Sequence, residues 1–350
     1  MKTEYIKTDA DNIDLQAIKK AGRIIRSGGL VAFPTETVYG LGGDALNAGS
    51  SQKIYEAKGR PSDNPLIVHI AQFDSIYKIA SYIPPAAEKL AKMYWPGPLT
   101  IILKKTRIVP DETTGNLPTV AVRFPSHPVA QLLIKEAGGY IAAPSANISG
   151  RPSPTTGEHV AVDMDGRIDM IIDSGPCRIG LESTIVDFTC DVPMMLRPGY
   201  VSQQMLEDVI GTVEKDPAVF GEASEGVKPK APGMKYRHYA PRGVLTIVSG
   251  KKADVINLIN DRTAKNSSKV RTAVLCRSEN TSCYPQADLV IDMGDDKNEE
   301  KIASRLYDSL RKCDEENIDE IYSEEFDTPG LGLAIMNRLI KAAGHNLIRV

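Results

Sequence analysis

Lys58-Gly59-Arg60-Pro61-Ser62-Asp63-Asn64-Pro65-Leu66-Ile67-Val68-His69 joins two cations, through a proline-bounded loop, to an apolar strand ending on an imidazole. Pro61 and Pro65 fix φ and restrict the residue before each, so the backbone is held open as a loop rather than wound into helix. A rigid loop aims its side chains. Lys58 offers a point charge and Arg60 a planar fork, a pair suited to the several anionic oxygens of a polyphosphate. An isolated K-x-R is usually a solvated surface; the weight here comes from its neighbours.

Toward the N-terminus, residues 11–27 place Leu15, Ile18, Ile24 and Ile25 at helical spacing, and Gly28-Gly29 stops the helix. Leu30–Phe33 reads as a buried strand. It delivers the chain into Pro34-Thr35-Glu36-Thr37-Val38-Tyr39-Gly40-Leu41-Gly42-Gly43, where hydroxyls and close glycines predict backbone that approaches a ligand. Gly40 to Ala45 formally fits G-x-G-x-x-A, but no helix signal follows at once, so the dinucleotide-binding context fails.

Beyond the loop, Leu66–Ile70 is a strand, residues 84–94 a helix ended by Trp95-Pro96-Gly97-Pro98, and Leu99–Leu103 a strand. Thr119–Phe124 is a strand whose last polar residue, Arg123, suits a carboxylate. Helix 127–137 leads to Ile141-Ala142-Ala143-Pro144-Ser145-Ala146-Asn147, small residues followed by two polar side chains at i and i+2. Strands near 169–173, 183–188 and 194–197 complete the region. Polar groups recur at strand ends, at Thr37, Arg60, His69, Arg123, Ser145, Ser183 and Arg197. Ligands of α/β sheets bind outside strand ends, so this recurrence predicts one shared pocket.

Residues 213–242 are rich in Pro, Gly, Glu and Lys and read as a linker. Their last part, Lys228 to Arg242, holds five cations and no acid, interleaved with Tyr236 and Tyr239. That exceeds what a spacer requires, and predicts a lid over an anionic ligand. From 243 onward strands alternate with helical stretches at 252–260, 298–312 and 332–343, the rhythm of a parallel-sheet domain. Its Gly330-Leu331-Gly332 turn opens a helix, a place for an anion or simply a cap. No catalytic constellation appears in this half.

At 350 residues, 42% hydrophobic and 25% charged, the chain has room for two globular domains. Neither a leader's apolar core nor a run near ~18 apolar residues appears, so a cytosolic address is expected. The five cysteines never form CxxC, which indicates neither a disulfide framework nor zinc. Net charge is −3 overall and −2 for residues 1–212, unlike a dedicated nucleic-acid binder.

Together these residues resemble the threonylcarbamoyl-AMP synthase family in its long form. The pieces are PTETVYGLG from Pro34, the Lys58–His69 loop, WPGPLT from Trp95, VAVRFP from Val120, APSANISGRPSPT from Ala143, ESTIVD from Glu182, LRPG from Leu196 and APGMKYRHYAP from Ala231. The resemblance implies a YrdC-like twisted α/β domain with a central mixed sheet over residues 1–212. An extended linker, 213–242, would act as active-site lid. A smaller Rossmann-like α/β domain with a mainly parallel sheet would span 243–350.

The implied reaction joins L-threonine, bicarbonate or carbon dioxide, and ATP into L-threonylcarbamoyladenylate and pyrophosphate. It is the first step of tRNA threonylcarbamoyladenosine modification, and the product would pass to a separate transfer complex. By resemblance Thr37, His69, Arg123, the backbone at Ala143, and Ser183 would hold threonine. Arg60, Asn64, Thr119, Ser145, Ser153, Arg197 and Tyr236 would contact ATP. Lys58, Arg60, Ser145 and Asn147 would serve the chemistry, with Mg²⁺ brought alongside ATP and no protein metal site. Neither stable nucleic-acid binding nor a membrane is implied.

Two other readings compete. A double-stranded RNA or tRNA-binding module would need clustered Lys and Arg that the first domain lacks. A carbamoyl-phosphate-dependent relative would need a zinc-binding cysteine region and an acylphosphatase-like segment, and neither is present.

Overall fold

The computed structural model describes residues 2–219, 229–232, 238–265 and 270–350. Two compact units form, Met1–Ser149 with Ser153–Lys235, and Gly150–Pro152 with Tyr236–Val350. Among the described residues no helix is long and apolar enough to cross a membrane.

The first unit is built on β1 (Glu4–Lys7), β2 (Val31–Phe33), β3 (Gly40–Asp44), β4 (Ile67–His69), β5 (Leu99–Lys104), β6 (Thr119–Arg123), β7 (Ile141–Ala142), β8 (Met170–Asp173), β9 (Thr184–Asp187), β10 (Met194–Arg197) and β11 (Glu214–Lys215). They make one mixed sheet in the order β1-β8-β2-β3-β7-β4-β6-β5-β9-β10-β11. Helix Leu15–Arg26 starts where the Asp14 carboxylate accepts from the Gln16 and Ala17 amides at 2.9 and 3.0 Å. Its buried face, Ile18, Ala21 and Ile25, packs with Val129, Leu133 and Ile134 of helix Pro128–Glu136 over Val31, Phe33 and Ile141 of the sheet. A methyl group on Gly22 would come within 2.7 Å of Glu136 backbone, so the crossing of these helices requires glycine there.

Two sequence expectations change. Gly40–Asp44 is a buried strand, not a ligand-facing turn: a Cβ on Gly42 would lie 2.9 Å from both Ile141 Cγ2 and Phe33 Cε1, so the missing side chain admits sheet neighbours rather than a ligand. Residues Glu214–Lys215, inside the stretch read as linker, pair in parallel with Met194 and Met195 and extend the sheet by a strand.

The second unit holds β12 (Val244–Ser249), β13 (Thr272–Arg277), β14 (Leu289–Gly294), β15 (Glu320–Glu324) and β16 (Leu347–Arg349), in the order β14-β13-β15-β12-β16. Every pairing there is parallel. Helices Lys252–Lys265, Glu299–Glu315 and Gly332–Ala342 supply the crossovers, and Val248, Val255, Ile259, Val274 and Tyr322 lie in the core between layers. The turn before Gly332 is occupied by the protein itself. The Glu299 carboxylate accepts from the Gly330 amide at 3.1 Å and from the Leu331 amide, filling the place where an anion would sit. All five cysteines are free thiols.

Candidate active site

Strand register assembles the site. In the sheet His69 of β4 pairs with Arg123 of β6, Arg123 pairs with Thr100 of β5, Thr100 pairs with Ile185 of β9, and Ile185 pairs with Arg197 of β10. Residues directly opposite each other across a ladder share a face at about 5 Å, so polar groups spaced far apart in sequence become one row. The Thr100 hydroxyl lies 2.7 Å from Ser183 Oγ, and the Arg197 guanidinium donates to Ser183 O at 3.0 Å and Ser183 Oγ at 3.2 Å. His69, Arg123, Ser183 and Arg197 are thereby contiguous.

Arg123 is 4% exposed, and its Nη2 pairs with Glu36 Oε1 at 2.7 Å. The other Glu36 oxygen accepts from the Ser126 amide at 3.1 Å. Arg123 Nε is buried and, among the described residues, has no hydrogen-bond partner. A buried guanidinium held on one side and unsatisfied on another is prepared for an incoming acceptor such as a carboxylate. Thr37 is fully buried, with its hydroxyl 2.9 Å from that of Thr35. The Ala143 amide donates to Ile67 O at 2.9 Å, which fixes the backbone of the next segment beside β4.

Lys58 holds the neighbouring loop. It is 2% exposed, and its Nζ donates to Ser145 O at 2.5 Å, Asn147 O at 2.6 Å and Asn147 Oδ1 at 3.3 Å. Ser145 Oγ donates to the same Asn147 Oδ1 at 2.5 Å. The charge read from sequence as a phosphate contact is thus built into the wall that carries Ser145 and Asn147. Arg60 Nη2 donates to the carbonyls of Asn64 and Pro65 at 3.1 and 3.2 Å, which curls its loop. Asn64 is 1% exposed, and among the described residues its Oδ1 has no partner. Ser153 Oγ donates to Glu182 Oε1 at 2.5 Å. Thr119 begins β6, four residues from Arg123 and so about 13 Å along the strand; the structure does not bring it beside Arg123. Tyr236 lies outside the described residues.

Residues 230–232 of the linker meet this part of the sheet. Lys230 Nζ reaches the buried Asp187 carboxylate at 2.9 Å, the carbonyl of Pro232 accepts from Arg197 Nη1 at 3.2 Å, and Ala231 is fully buried among Ile67, Ile102, Ala121, Ile185 and Leu196.

Two family models match the chain, one described as telomere recombination over residues 23–199 and one as threonylcarbamoyl-AMP synthase, C-terminal domain, over residues 201–344. The threonylcarbamoyl-AMP synthase of Pyrococcus abyssi is 47% identical over 97% of this chain and 98% of its own length. The chain belongs to the threonylcarbamoyl-AMP synthase family. The Bacillus subtilis member is likewise 47% identical, over 98% of this chain and 97% of its own. A crystal structure of P. abyssi Sua5 complexed with L-threonine superposes with a TM-score of 0.94 at 47% identity, covering 99% of this chain and all of that one.

Within this family member, three residues near Arg123 escape a reading of the sequence alone. Glu36 lies inside the quoted Pro34–Gly43 stretch, yet its ion pair appears only once β6 is placed. His127 has a buried Nδ1 without a partner among the described residues, and burial pushes its pKa down while nearby Glu36 opposes the shift. Cys177 is buried close to Thr35, Glu36 and Arg123, and burial pushes its thiol up. No signal in the sequence singles out the last two.

His69 is 3% exposed, with Nδ1 3.1 Å from Ile67 O and the ring edge-on to Phe33. Burial, followed by the Arg123 charge, lowers its pKa to about 3 against the opposing pull of the Ile67 and Ile141 carbonyls. It is therefore neutral at working pH and offers a hydrogen-bonding ring, not a cation. A folded-state pKa below the unfolded value near 6.5 means this group's contribution to stability is complete above pH ~6.5 and is lost as pH falls toward 3. Replacing His69 with Asn should flatten the acid limb of a stability–pH curve in that window. It should leave the pH–rate profile between 6 and 8 without a lost inflection, as calorimetry and steady-state rates would show.

Proposed function

We propose that this protein makes L-threonylcarbamoyladenylate and pyrophosphate from L-threonine, bicarbonate or carbon dioxide, and ATP. The observation that carries the reading is the buried Arg123, paired to Glu36 and, among the described residues, unpartnered at Nε beside neutral His69, in a chain similar along nearly its whole length to synthases of this name. The threonine carboxylate meets Arg123. The amine, turned toward the loop of Ser145 and Asn147, captures carbon dioxide. A carbamate oxygen then bonds to the α-phosphorus of ATP as the bond from that phosphorus to the bridging oxygen breaks, and pyrophosphate leaves with the electron pair. Such a transfer needs alignment and charge neutralisation more than a covalent nucleophile. Arg60 and Arg197 are fixed by their carbonyl partners before any ligand arrives, so little reorganisation is needed. Ser153, Asn64, Thr119 and Tyr236 would complete the nucleotide contacts.

Among the described residues no three carboxylate, imidazole or thiol groups are arranged to hold an ion. Mg²⁺ would come coordinated by the triphosphate and water, as is usual for this ion with nucleotides. A cytoplasmic location and hand-over of the product to a tRNA-modifying transfer complex follow from the same reading. The test is incorporation of labelled bicarbonate into an AMP adduct. Label that enters only with both threonine and ATP supports the proposal; label that enters without threonine refutes it.

Residues 213–242 would act as the lid, excluding water that hydrolyses the mixed anhydride. The anchoring of Lys230 to Pro232 on β5, β9 and β10 supports this role. Ala231→Asp forces a carboxylate into an apolar site, so it should release the segment, lower turnover on the order of tenfold and raise the ratio of free AMP to adduct. Normal kinetics and an unchanged product ratio in both Ala231→Asp and Tyr236→Ala would retire the lid.

A further inference from the structure

The second unit carries a cavity that the proposed reaction does not use. From β12 the chain crosses over toward β13, and from β15 toward β16, so two adjacent strands send their connections in opposite directions. With right-handed crossovers the two following helices lie on opposite faces, and a crevice opens at the carboxyl ends of β12 and β15. A cavity of about 380 Å³ occurs there, bordered by Val248, Gly250, Arg277, Asn280, Glu324 and Glu325.

In a Rossmann-like domain the expected occupant is a nucleotide, but the charges here oppose it. The lining holds Lys252 and Arg277 against Glu279, Asp296, Glu324, Glu325 and Asp327. Both cations are engaged: Lys252 Nζ lies 2.6 Å from Glu279, and Arg277 donates to Asp296 at 2.8 Å and to Glu325 O at 2.7 Å. The N-terminus of helix Gly332–Ala342 is filled by Glu299.

One polar atom calls for a donor. Asn280 is 3% exposed, and its Nδ2 donates to Glu324 Oε1 at 2.8 Å. Glu324 is itself held by the Tyr284 hydroxyl at 2.7 Å and the Arg277 amide at 3.0 Å. Turning the amide over would set two acceptors against each other, so Oδ1 must face away from Glu324. Among the described residues Oδ1 has no partner, although a buried amide oxygen left unpaired is costly. We propose that this cavity binds a small organic cation, an ammonium or guanidinium compound of about amino-acid size, whose N–H groups donate to Asn280 Oδ1 while the surrounding carboxylates meet its charge.

The test is calorimetric titration of the full-length protein with putrescine and with agmatine at fixed ionic strength, ADP-ribose serving as the anionic comparison. Saturable binding of at least one amine is expected, weakened about tenfold in Asn280→Ala and about threefold in Asp327→Asn. Asp327 is exposed, so that variant keeps the test open if Asn280→Ala folds poorly. Arg123→Lys, in the other unit, should leave amine binding unchanged. Absence of saturable binding for both amines, binding that survives both second-unit substitutions, or preference for ADP-ribose overturns the proposal.

Discussion

Arg123→Ala should abolish threonine-dependent turnover and destabilise the first unit together. The guanidinium and Glu36 are each 5% exposed in their side chains. Removing one partner of so buried a pair leaves an uncompensated charge, a cost of about 3–5 kcal/mol. The lost contact to a substrate carboxylate, worth about 1.5–3 kcal/mol, corresponds to roughly 10- to 100-fold in the threonine KM. Arg123→Lys separates the two effects. It keeps a cation for Glu36 but lacks the planar fork, so it should melt near wild type while its threonine KM rises and its ATP KM stays put. A lysine variant with normal threonine KM would remove Arg123 from the threonine site. Glu36→Gln should raise the same KM through a misaligned Arg123, a positioning effect that pre-bound substrate would partly restore.

Lys58→Met is the second large effect. The methionine stem fills much of the same space, but the carbonyls of Ser145 and Asn147 lose a charged donor inside the protein. Each buried group left unsatisfied costs about 1–3 kcal/mol, and the loop must move to find water. A shift near 1 Å in groups that align reactants can cost about a hundredfold in rate. The expected outcome is therefore a turnover number lowered on that order at saturating ATP and threonine, with a lowered melting temperature. If KM for ATP rises instead while turnover holds, Lys58 contacts phosphate directly and its structural role is secondary.

Much of this fold was legible because the signals were local. Apolar runs bounded by glycine and proline locate β2, β4, β5, β6 and the parallel strands β12 to β15, and helical spacing from Leu15 to Ile25 ended by Gly28-Gly29 locates the first helix. β3 was not legible, because glycine lowers strand propensity and the reason for Gly42 is its contact with Ile141, a residue about a hundred positions away. β11 and β16 are short edge strands whose partners decide them. The same division holds at the site. His69, Arg123, Ser183 and Arg197 stand out as polar residues ending apolar strands. Glu36 and Asn280 do not, since an ion pair and an unpartnered amide exist only after distant strands are in register.

Pyrophosphate release from ATP and bicarbonate, compared with L-threonine, with L-serine and without an amino acid in wild type and Arg123→Lys, decides whether this chain is a threonine-dependent synthase. Release is expected to require threonine and bicarbonate, to fall with serine, and in the lysine variant to return only at raised threonine. Release indifferent to the amino acid, or equal in the two proteins at low threonine, would contradict it.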